Sequence, residues 1–215
     1  EDGGDDDFDL SSRQTLQFAS GLTLYNGKLF LSASNSSQPT DVELWKLDFA
    51  ATSPKAYLLE IRGGSVGSNP SNLTTYSFGA SPTEALVFTA EDSTGIGLWK
   101  LIADSTRSLV AGTTNSNPDH LTPFRSGTPQ ARLFFAATDA INGRELYSTN
   151  DLSLASLAAD IHSGIDSSNP VYLTEFDDRL FFVATDPTDK GEELYYYDPD
   201  TPSPSYERIT DVAPG

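Results

Sequence analysis

A run of apolar residues, a short polar turn and then an aromatic residue recur four times along the chain. The clearest run is Leu-Phe-Phe-Ala-Ala at 133–137, and the aromatic residue that follows it is Tyr147. In the other copies the aromatic residues are Trp45, Trp99 and Tyr195. Short apolar runs bounded by turn residues are typical of strands, and a run without alternation predicts a strand covered on both faces. The pattern therefore predicts an all-β chain built from four copies of one strand–turn–strand unit.

The copies follow one another at a regular interval. Each begins with a Leu-Thr pair, and successive pairs lie 51, 48 and 52 residues apart, at Leu22, Leu73, Leu121 and Leu173. A Ser-Asn-Pro triplet, which favours a turn, precedes the last three pairs. A period of about 50 residues with four short strands is typical of a β-propeller blade. We therefore expect a β-propeller of four blades, each with four antiparallel strands, in repeats covering residues 21–70, 71–118, 119–170 and 171–215. A β-sandwich or an incomplete arc of a larger ring is the alternative.

Residues 1–20 precede the first repeat and differ from it. Residues 1–9 are acidic and rich in glycine, which predicts a flexible, solvated leader. Thr15–Phe18 alternates polar and apolar residues as a half-buried strand does, and this extra strand has no counterpart in the repeat. Because free strand edges recruit partners, we expect Leu16 and Phe18 to mediate head-to-tail assembly with another copy of the chain. In the alternative, the segment folds back and completes its own domain.

Composition limits the partners and the setting. The chain of 215 residues carries 31 acidic and 13 basic residues, a net charge of −18, so it would be repelled by nucleic acid and by anionic membrane surfaces. It contains no cysteine, which removes disulfide and thiolate chemistry. No apolar run approaches the roughly 20 residues of a membrane-spanning helix. We expect an extracellular or cell-surface protein that binds copies of itself, surface proteins or glycans.

The repeat carries a recognisable joint motif. In the fourth copy it comprises Ser-Ser-Asn-Pro at 167–170, Leu-Thr at 173–174, Leu-Phe-Phe at 180–182 and Glu-Leu-Tyr at 193–195. This arrangement resembles the Glu-Leu-Trp-x-x-Asp-Gly-Thr (ELWxxDGT) repeat proteins, which are mostly bacterial surface or secreted proteins. The Asp-Gly-Thr turn of that family is absent, and Thr149-Asn150-Asp151 stands in its place in the third copy. The resemblance covers about residues 22–215 and implies a propeller fold and a surface setting, but no activity.

Repeated carboxylates are the candidates for chemistry. Glutamates precede three of the third-strand aromatic residues, at Glu43, Glu145 and Glu193, and aspartates end three of the second strands, at Asp92, Asp139 and Asp186. A glycosidase needs two carboxylates about 5–10 Å apart, but a residue repeated in every blade usually serves the blade, and an aspartate in a hairpin turn caps main-chain N–H groups. We therefore expect structural roles for these residues and assign no catalytic residue and no organic cofactor. Calcium bound by Asp139 or Asp186 is the one cofactor that the pattern allows.

The remaining sites are surface features. Asn35 and Asn72 open Asn-x-Ser/Thr triplets and are candidate N-glycosylation sites, with Asn35 placed in a long hairpin insertion. We expect a non-enzymatic structural or adhesive module, and self-assembly into a fibre or layer would extend that role. A carbohydrate-binding module is the alternative, with aromatic rings near the channel contributed by Tyr25, Tyr76, Phe124 and Phe176. A hydrolase that uses channel carboxylates ranks last.

Overall fold

The computed structural model of the chain contains strands and turns. It describes residues 7–9, 15–50, 54–103, 106–185, 188, 191–201 and 205–210, with the main chain alone for 7–9, 18, 19 and 210. In these residues there are 17 strands and no helix, which confirms the predicted all-β class. The physical reason is that Gly, Asn, Asp and Pro turn residues interrupt the chain at intervals too short for a helix of ordinary length.

The strands form four antiparallel sheets. The first contains β1 (Asp7–Asp9), β2 (Leu16–Tyr25), β3 (Lys28–Asn35), β4 (Gln38–Asp48) and β5 (Lys55–Leu59), in the spatial order β1-β5-β4-β3-β2. The second is a meander of β6 (Ser71–Phe78), β7 (Thr83–Asp92), β8 (Gly95–Ile102) and β9 (Thr106–Leu109). The third is a meander of β10 (Asp119–Phe124), β11 (Arg132–Asp139), β12 (Gly143–Thr149) and β13 (Ser156–Ala159). The fourth is a meander of β14 (Val171–Phe176), β15 (Arg179–Thr185), β16 (Glu192–Asp198) and β17 (Ser205–Thr210).

The start of each sheet follows from the turn chemistry. In the last three sheets the first strand begins directly after the proline of a Ser-Asn-Pro triplet, at Ser71, Asp119 and Val171. Proline has no N–H to donate to a strand ladder and disfavours helix in the residue before it. The turn residues therefore mark where the first strands of these three sheets begin.

The first strand of the first sheet begins earlier than expected. Leu16 and Phe18 pair with Asn35 and Ala33 of β3, and the strand continues to Tyr25. The prediction of an extra strand outside the repeat is therefore wrong, because its main chain already forms part of the first sheet. The expected boundary at residue 21 falls inside β2. Assembly through Leu16 and Phe18 stays a prediction: one edge of their strand pairs with β3, and β2 is the outermost strand of its sheet.

Part of the acidic leader also belongs to the first sheet. Residues 7–9 form β1, which pairs antiparallel with Lys55, Ala56 and Tyr57 of β5. For these three residues the expected solvated tail is replaced by an edge strand. Composition alone assigns this acidic segment to solvent. Because main-chain hydrogen bonds do not depend on side-chain type, the segment can nevertheless extend a sheet.

The first strand of every sheet contains one residue with a left-handed backbone, directly before its Leu-Thr pair. These residues have φ angles of 62°, 55°, 56° and 56°, at Gly21, Asn72, His120 and Tyr172. In the first, third and fourth sheets the register with the second strand shifts at this point. The left-handed region costs roughly 1–2 kcal/mol for residues other than glycine. A bulge that recurs despite this cost is a built feature of the repeat, and it re-aims the neighbouring side chains.

The chain divides into two compact units. Unit 1 comprises residues 1–75 and 84–109 and contains the first sheet and most of the second. Its main core lies between these two sheets, where Phe30 and Leu44 of the first sheet join Leu86 and Phe88 of the second. The other face of the first sheet carries a separate buried cluster around Trp45.

Unit 2 comprises residues 76–83 and 110–215 and contains the third and fourth sheets. Phe134 and Leu146 of the third sheet share its core with Leu180 and Phe182 of the fourth. The ring of Phe134 stands edge-on to that of Tyr197, with the centroids 5.5 Å apart. Such edge contacts between aromatic rings stabilise a core beyond the burial of apolar area.

The second strands do not all have the predicted environment. Continuous burial, which indicates cover on both faces, is found along β3, β7 and β11. In β15 burial alternates along the strand, and Phe182 is buried while Phe181 is half-buried. The expectation of cover on both faces is thus confirmed for three sheets and wrong for the fourth. On its less covered face Phe181 lies between the rings of Phe176 and Tyr196, with centroids 5.9 Å and 6.1 Å away.

Candidate functional site

Glu43 is a fully buried carboxylate on β4. Its oxygens accept hydrogen bonds from the main-chain N–H groups of Ile61 at 3.0 Å, Arg62 at 3.3 Å and Ser68 at 2.9 Å. The Ser68 hydroxyl donates a further hydrogen bond at 2.6 Å. Ile61 and Arg62 follow the last strand of the first sheet, and Ser68 precedes the first strand of the second. The carboxylate therefore fastens both ends of the connector between two sheets, an arrangement that we call a glutamate clasp.

The third repeat contains a second glutamate clasp. Glu145 of β12 is fully buried and accepts hydrogen bonds from the N–H groups of Ile161 at 2.9 Å and Ser168 at 2.8 Å. The hydroxyl of Ser168 donates to the same carboxylate at 2.6 Å. The two clasps lie about one hundred residues apart in sequence and use equivalent donors. The reason is that the same sheet-to-sheet connector recurs in both repeats.

The Ser-Asn-Pro triplet supplies more than a turn. Its serine closes the clasp, and its asparagine is left-handed, with φ of 48° at Asn69 and 49° at Asn169. These asparagines donate their main-chain N–H to the carbonyl oxygens of Val42 at 3.0 Å and Arg144 at 3.1 Å. In the first connector the backbone approaches so closely that a Cβ on Gly67 would clash with the main chain of Val42. The sequence predicted the turn but not that its serine and the repeated glutamate act together.

The second repeat lacks the clasp. Gly97 occupies the position of the glutamate, and the hydroxyl of Ser116, from the following triplet, donates instead to the carbonyl oxygen of Thr113 at 2.8 Å. In the fourth repeat Glu193 is fully buried on β16. The residues of the next connector, which begin at position 211, lie outside the described part of the chain.

Burial governs the protonation of the clasps. It raises the pKa of the Glu43 and Glu145 carboxyl groups, and the hydrogen bonds from the serine hydroxyls and main-chain N–H groups lower it only in part. A raised pKa suits a general acid, but an acid catalyst must also reach the reacting group of its substrate. Both carboxylates are enclosed and occupied by donors of their own chain, so the arrangement fastens a connector.

The second-strand aspartates form turns, as predicted for the two that are described. Asp92 accepts hydrogen bonds from the N–H and hydroxyl groups of Thr94, both at 2.6 Å. Asp139 accepts from the N–H groups of Ile141 at 2.8 Å and Asn142 at 2.6 Å, and from the hydroxyl of Tyr147. Both oxygens of Asp139 are thus occupied, and calcium binding there stays a prediction. Asp186, the other calcium candidate, lies outside the described residues.

The Asp139 turn should make stability depend on acid. Burial alone would raise the pKa of this carboxyl, but hydrogen bonds from Tyr147 and Asn142 bring it down to about 2, against an ordinary value of 3.8. Because the folded pKa is lowered, the stabilisation is present above about pH 4 and is lost as the pH falls toward 2. We expect Asp139→Asn to destabilise the protein by about 1 kcal/mol at neutral pH, after allowance for solvent screening, and progressively less toward pH 2.

Urea unfolding of the wild type and Asp139→Asn at several pH values measures this difference. Asp177→Asn, which removes a charge from an exposed turn, is the matched control. A difference between wild type and Asp139→Asn that stays constant from pH 6 to pH 2 would contradict the assignment.

The aromatic residues expected at a glycan site have mostly structural positions. Tyr25, Tyr76 and Phe124 are buried, and the hydroxyls of the two tyrosines donate to carbonyl oxygens, Tyr25 to Glu84 at 3.1 Å and Tyr76 to Asn150 at 2.6 Å. Phe176 is 67% exposed. These four aromatic residues therefore do not form one exposed surface for a sugar. Burial of a large ring in the core stabilises the fold, which explains the positions of the three buried rings.

The glycosylation candidates differ in accessibility. Asn35 is 8% exposed, and its side-chain oxygen accepts hydrogen bonds from the N–H groups of Ser37 at 3.0 Å and Gln38 at 2.8 Å. The predicted long insertion is instead a tight turn, since β4 already begins at Gln38. Asn72 is exposed, and its amide donates to the Thr89 hydroxyl at 3.3 Å. Modification at either residue stays a prediction, and accessibility favours Asn72.

Two arginines of unit 2, Arg125 and Arg132, lie close together, and no sequence pattern pointed to them. Arg125 donates to Asp178 at 3.0 Å and to both oxygens of Asp200 at 2.9 Å and 2.7 Å. Arg132 instead contacts the hydroxyl of Tyr197, where it opposes the rise in the tyrosine pKa that burial causes. Within the described chain Arg132 forms no ion pair.

Comparisons of the chain with family models, curated proteins and solved structures gave no match. The resemblance to ELWxxDGT repeat proteins therefore stays an expectation based on sequence motifs. Among the described residues, no helix is long and apolar enough to cross a membrane. In the same residues, no three His, Cys, Asp or Glu side chains are placed to hold a metal ion. The sheets and the clasps define the class: an all-β protein of four repeated antiparallel sheets.

Proposed function

We propose that this chain is a non-enzymatic β-propeller module with a structural or adhesive role outside the cell. The observation that carries this proposal is the glutamate clasp. The repeated carboxylates Glu43 and Glu145, the natural candidates for acid catalysis, are enclosed acceptors that fasten one sheet to the next. Because the repeated glutamates stabilise the connectors of the fold, we assign the function of the module to its exposed surface.

The equivalent use of sheet faces supports the propeller. In unit 1 the face with Phe30 packs toward Leu86 and Phe88 of the following sheet. In unit 2 the equivalent face, with Phe134, packs toward Leu180 and Phe182. Each sheet of a propeller covers the next through corresponding faces, so the same relation in two independent units favours blades over the two stacked sheets of a sandwich.

Small-angle scattering tests the propeller. A closed domain of this length should have a radius of gyration of roughly 17 Å. We expect the measured value to lie close to this figure. A value nearer to that of two separate bodies joined by a linker would contradict closure, whatever the function.

The surface role is supported by the net charge of −18 and by the resemblance to surface and secreted repeat proteins. Incubation with polysaccharide and ester substrates is expected to give no turnover above background. Turnover that a single carboxylate substitution abolishes would overturn the non-enzymatic assignment.

Association of copies is part of the adhesive proposal and would appear in sedimentation velocity as a mass that rises with concentration. A constant monomer mass would remove that part.

A further inference from the structure

Two adjoining clefts lie in unit 2, at the start of β11 and the end of β12. The first has a volume of about 220 Å³ and the second about 240 Å³. Arg132 and Asn150 line both, so the clefts meet at these two residues. Each alone is smaller than a usual small-molecule pocket, which measures about 300–1,000 Å³, but the two together fall within that range. We call them the joined clefts.

Arg132 provides a positive charge where the clefts meet. Its contact is the hydroxyl of Tyr197. Within the described residues it forms no ion pair, although Asp200, which is held by Arg125, lies near enough to interact with its charge. Arg179, at the equivalent position of the next repeat, is held differently, with its Nε 3.6 Å from the Oδ2 of Asp198 and its guanidinium over the Tyr196 ring. A guanidinium presents paired N–H donors that match a carboxylate in two parallel hydrogen bonds. Arg132 is therefore suited to a carboxylate supplied by a ligand.

The other lining groups suit hydroxyl groups. Gln130 lines the first cleft, and Ser148, which is 7% exposed, lines the second. Amides and hydroxyls both donate and accept hydrogen bonds, as sugar hydroxyls do. Leu154, which is 60% exposed, gives the second cleft an apolar edge for the C–H face of a sugar ring. The apolar residues of the first cleft are Pro129, Ala131 and Pro199. A mostly polar lining with short apolar edges favours a saccharide over an apolar ligand.

The neighbouring acids restrict the charge of the ligand. Asp200 in the first cleft is paired with Arg125, and Asp151 in the second accepts hydrogen bonds from the N–H and hydroxyl of Ser153 at 2.9 Å and 2.6 Å. The net charge of −18 repels polyanions. At physiological ionic strength, exposed charges farther away than about 8 Å are largely screened. These conditions favour a short ligand with one carboxylate.

From these observations we infer that the joined clefts bind a short saccharide bearing one carboxylate, such as a uronic acid unit, with Arg132 as the partner of that carboxylate. The inference goes beyond the proposed module because it specifies a ligand class and a site. It does not depend on closure of the propeller, since every lining residue belongs to unit 2. Failure of saccharide binding would leave the structural module standing.

Isothermal titration of the full chain tests the site with four probes: glucuronic acid, a disaccharide that contains it, the matched glucose disaccharide, and acetate. We expect the acidic disaccharide to bind most tightly. Arg132→Gln should weaken its binding by at least about tenfold, as expected for loss of a hydrogen bond to a charged group. Arg132→Lys, which keeps the charge but loses the paired donors, should give an intermediate loss. Arg179→Gln, at the equivalent position outside the clefts, should bind as the wild type does.

Thermal melts of each variant establish that it is folded before binding is compared. Equal binding of the acidic and neutral disaccharides would overturn the role of the carboxylate, and acetate binding as tightly as the saccharide would overturn the role of the sugar. The inference also fails if none of the probes binds, or if Arg132→Gln binds as well as Arg179→Gln.

Discussion

Replacement of Glu145 by glutamine is expected to lower the free energy of unfolding by about 2–4 kcal/mol. The carboxylate is fully buried and accepts hydrogen bonds from the N–H groups of Ile161 and Ser168 and from the Ser168 hydroxyl. Glutamine keeps the shape but provides one accepting oxygen, and its NH₂ group faces a donor. At least one buried N–H then lacks an acceptor, at a cost of about 1–3 kcal/mol, and a charged hydrogen bond is lost as well.

Denaturant unfolding of three further variants isolates the clasp. Ser168→Ala removes one donor and is expected to cost about 1–2 kcal/mol. The double variant should cost less than the sum of the two single variants, because both remove the same hydrogen bond. Glu192 is an exposed glutamate on the fourth sheet, and Glu192→Gln controls for the removal of one negative charge. A loss below about 0.5 kcal/mol for Glu145→Gln would show that the connector does not depend on the carboxylate.

Phe182→Ala is expected to destabilise the protein by about 3–5 kcal/mol, as truncation of a buried aromatic side chain does. The ring is 1% exposed and lies in the core between the third and fourth sheets. It stacks on Tyr195 with the centroids 5.8 Å apart and the planes 13° apart. Removal of the ring leaves a cavity that two packed sheets fill poorly. The lost transfer free energy of the ring and the cost of the cavity therefore add.

The matched control is the preceding residue. Phe181→Ala removes the same atoms from the opposite face of β15, where the ring is half-buried, and is expected to cost about 1–2 kcal/mol. Chevron or equilibrium melts of both variants measure the difference. Equal losses would mean that the alternation of burial along β15 does not describe the protein in solution.

The position of Gly97 shows that the fold does not require a clasp at every connector. The second repeat has no carboxylate there, and Ser116 instead bonds to Thr113 within its own connector. The clasps of the first and third repeats therefore add stability to a topology that strand pairing and apolar burial already specify. This is why Glu145→Gln is expected to weaken the protein without abolishing its folding.

Most strands and turns of this protein follow from local sequence patterns. Apolar runs such as 133–137 and the triplets that end at Pro70, Pro118 and Pro170 predicted four sheets of four strands and the starts of three of them. In the structure β1 adds a fifth strand to the first sheet. Asp92 and Asp139 were correctly predicted as turn residues. These features are local, since strand formation and turn geometry depend on residues only a few positions apart.

Features that depend on distant partners arise from tertiary contacts. Leu16 belongs to the first sheet because it pairs with Asn35, and Glu43 fastens a connector because its donors lie 18 to 25 residues farther along the chain. Arg132 and Arg179 occupy the same place in the repeat, yet Arg132 lines a cleft and Arg179 lies beside Asp198. A one-dimensional pattern carries the period of a strand, but pairing, burial and charge partners arise only when separate segments meet.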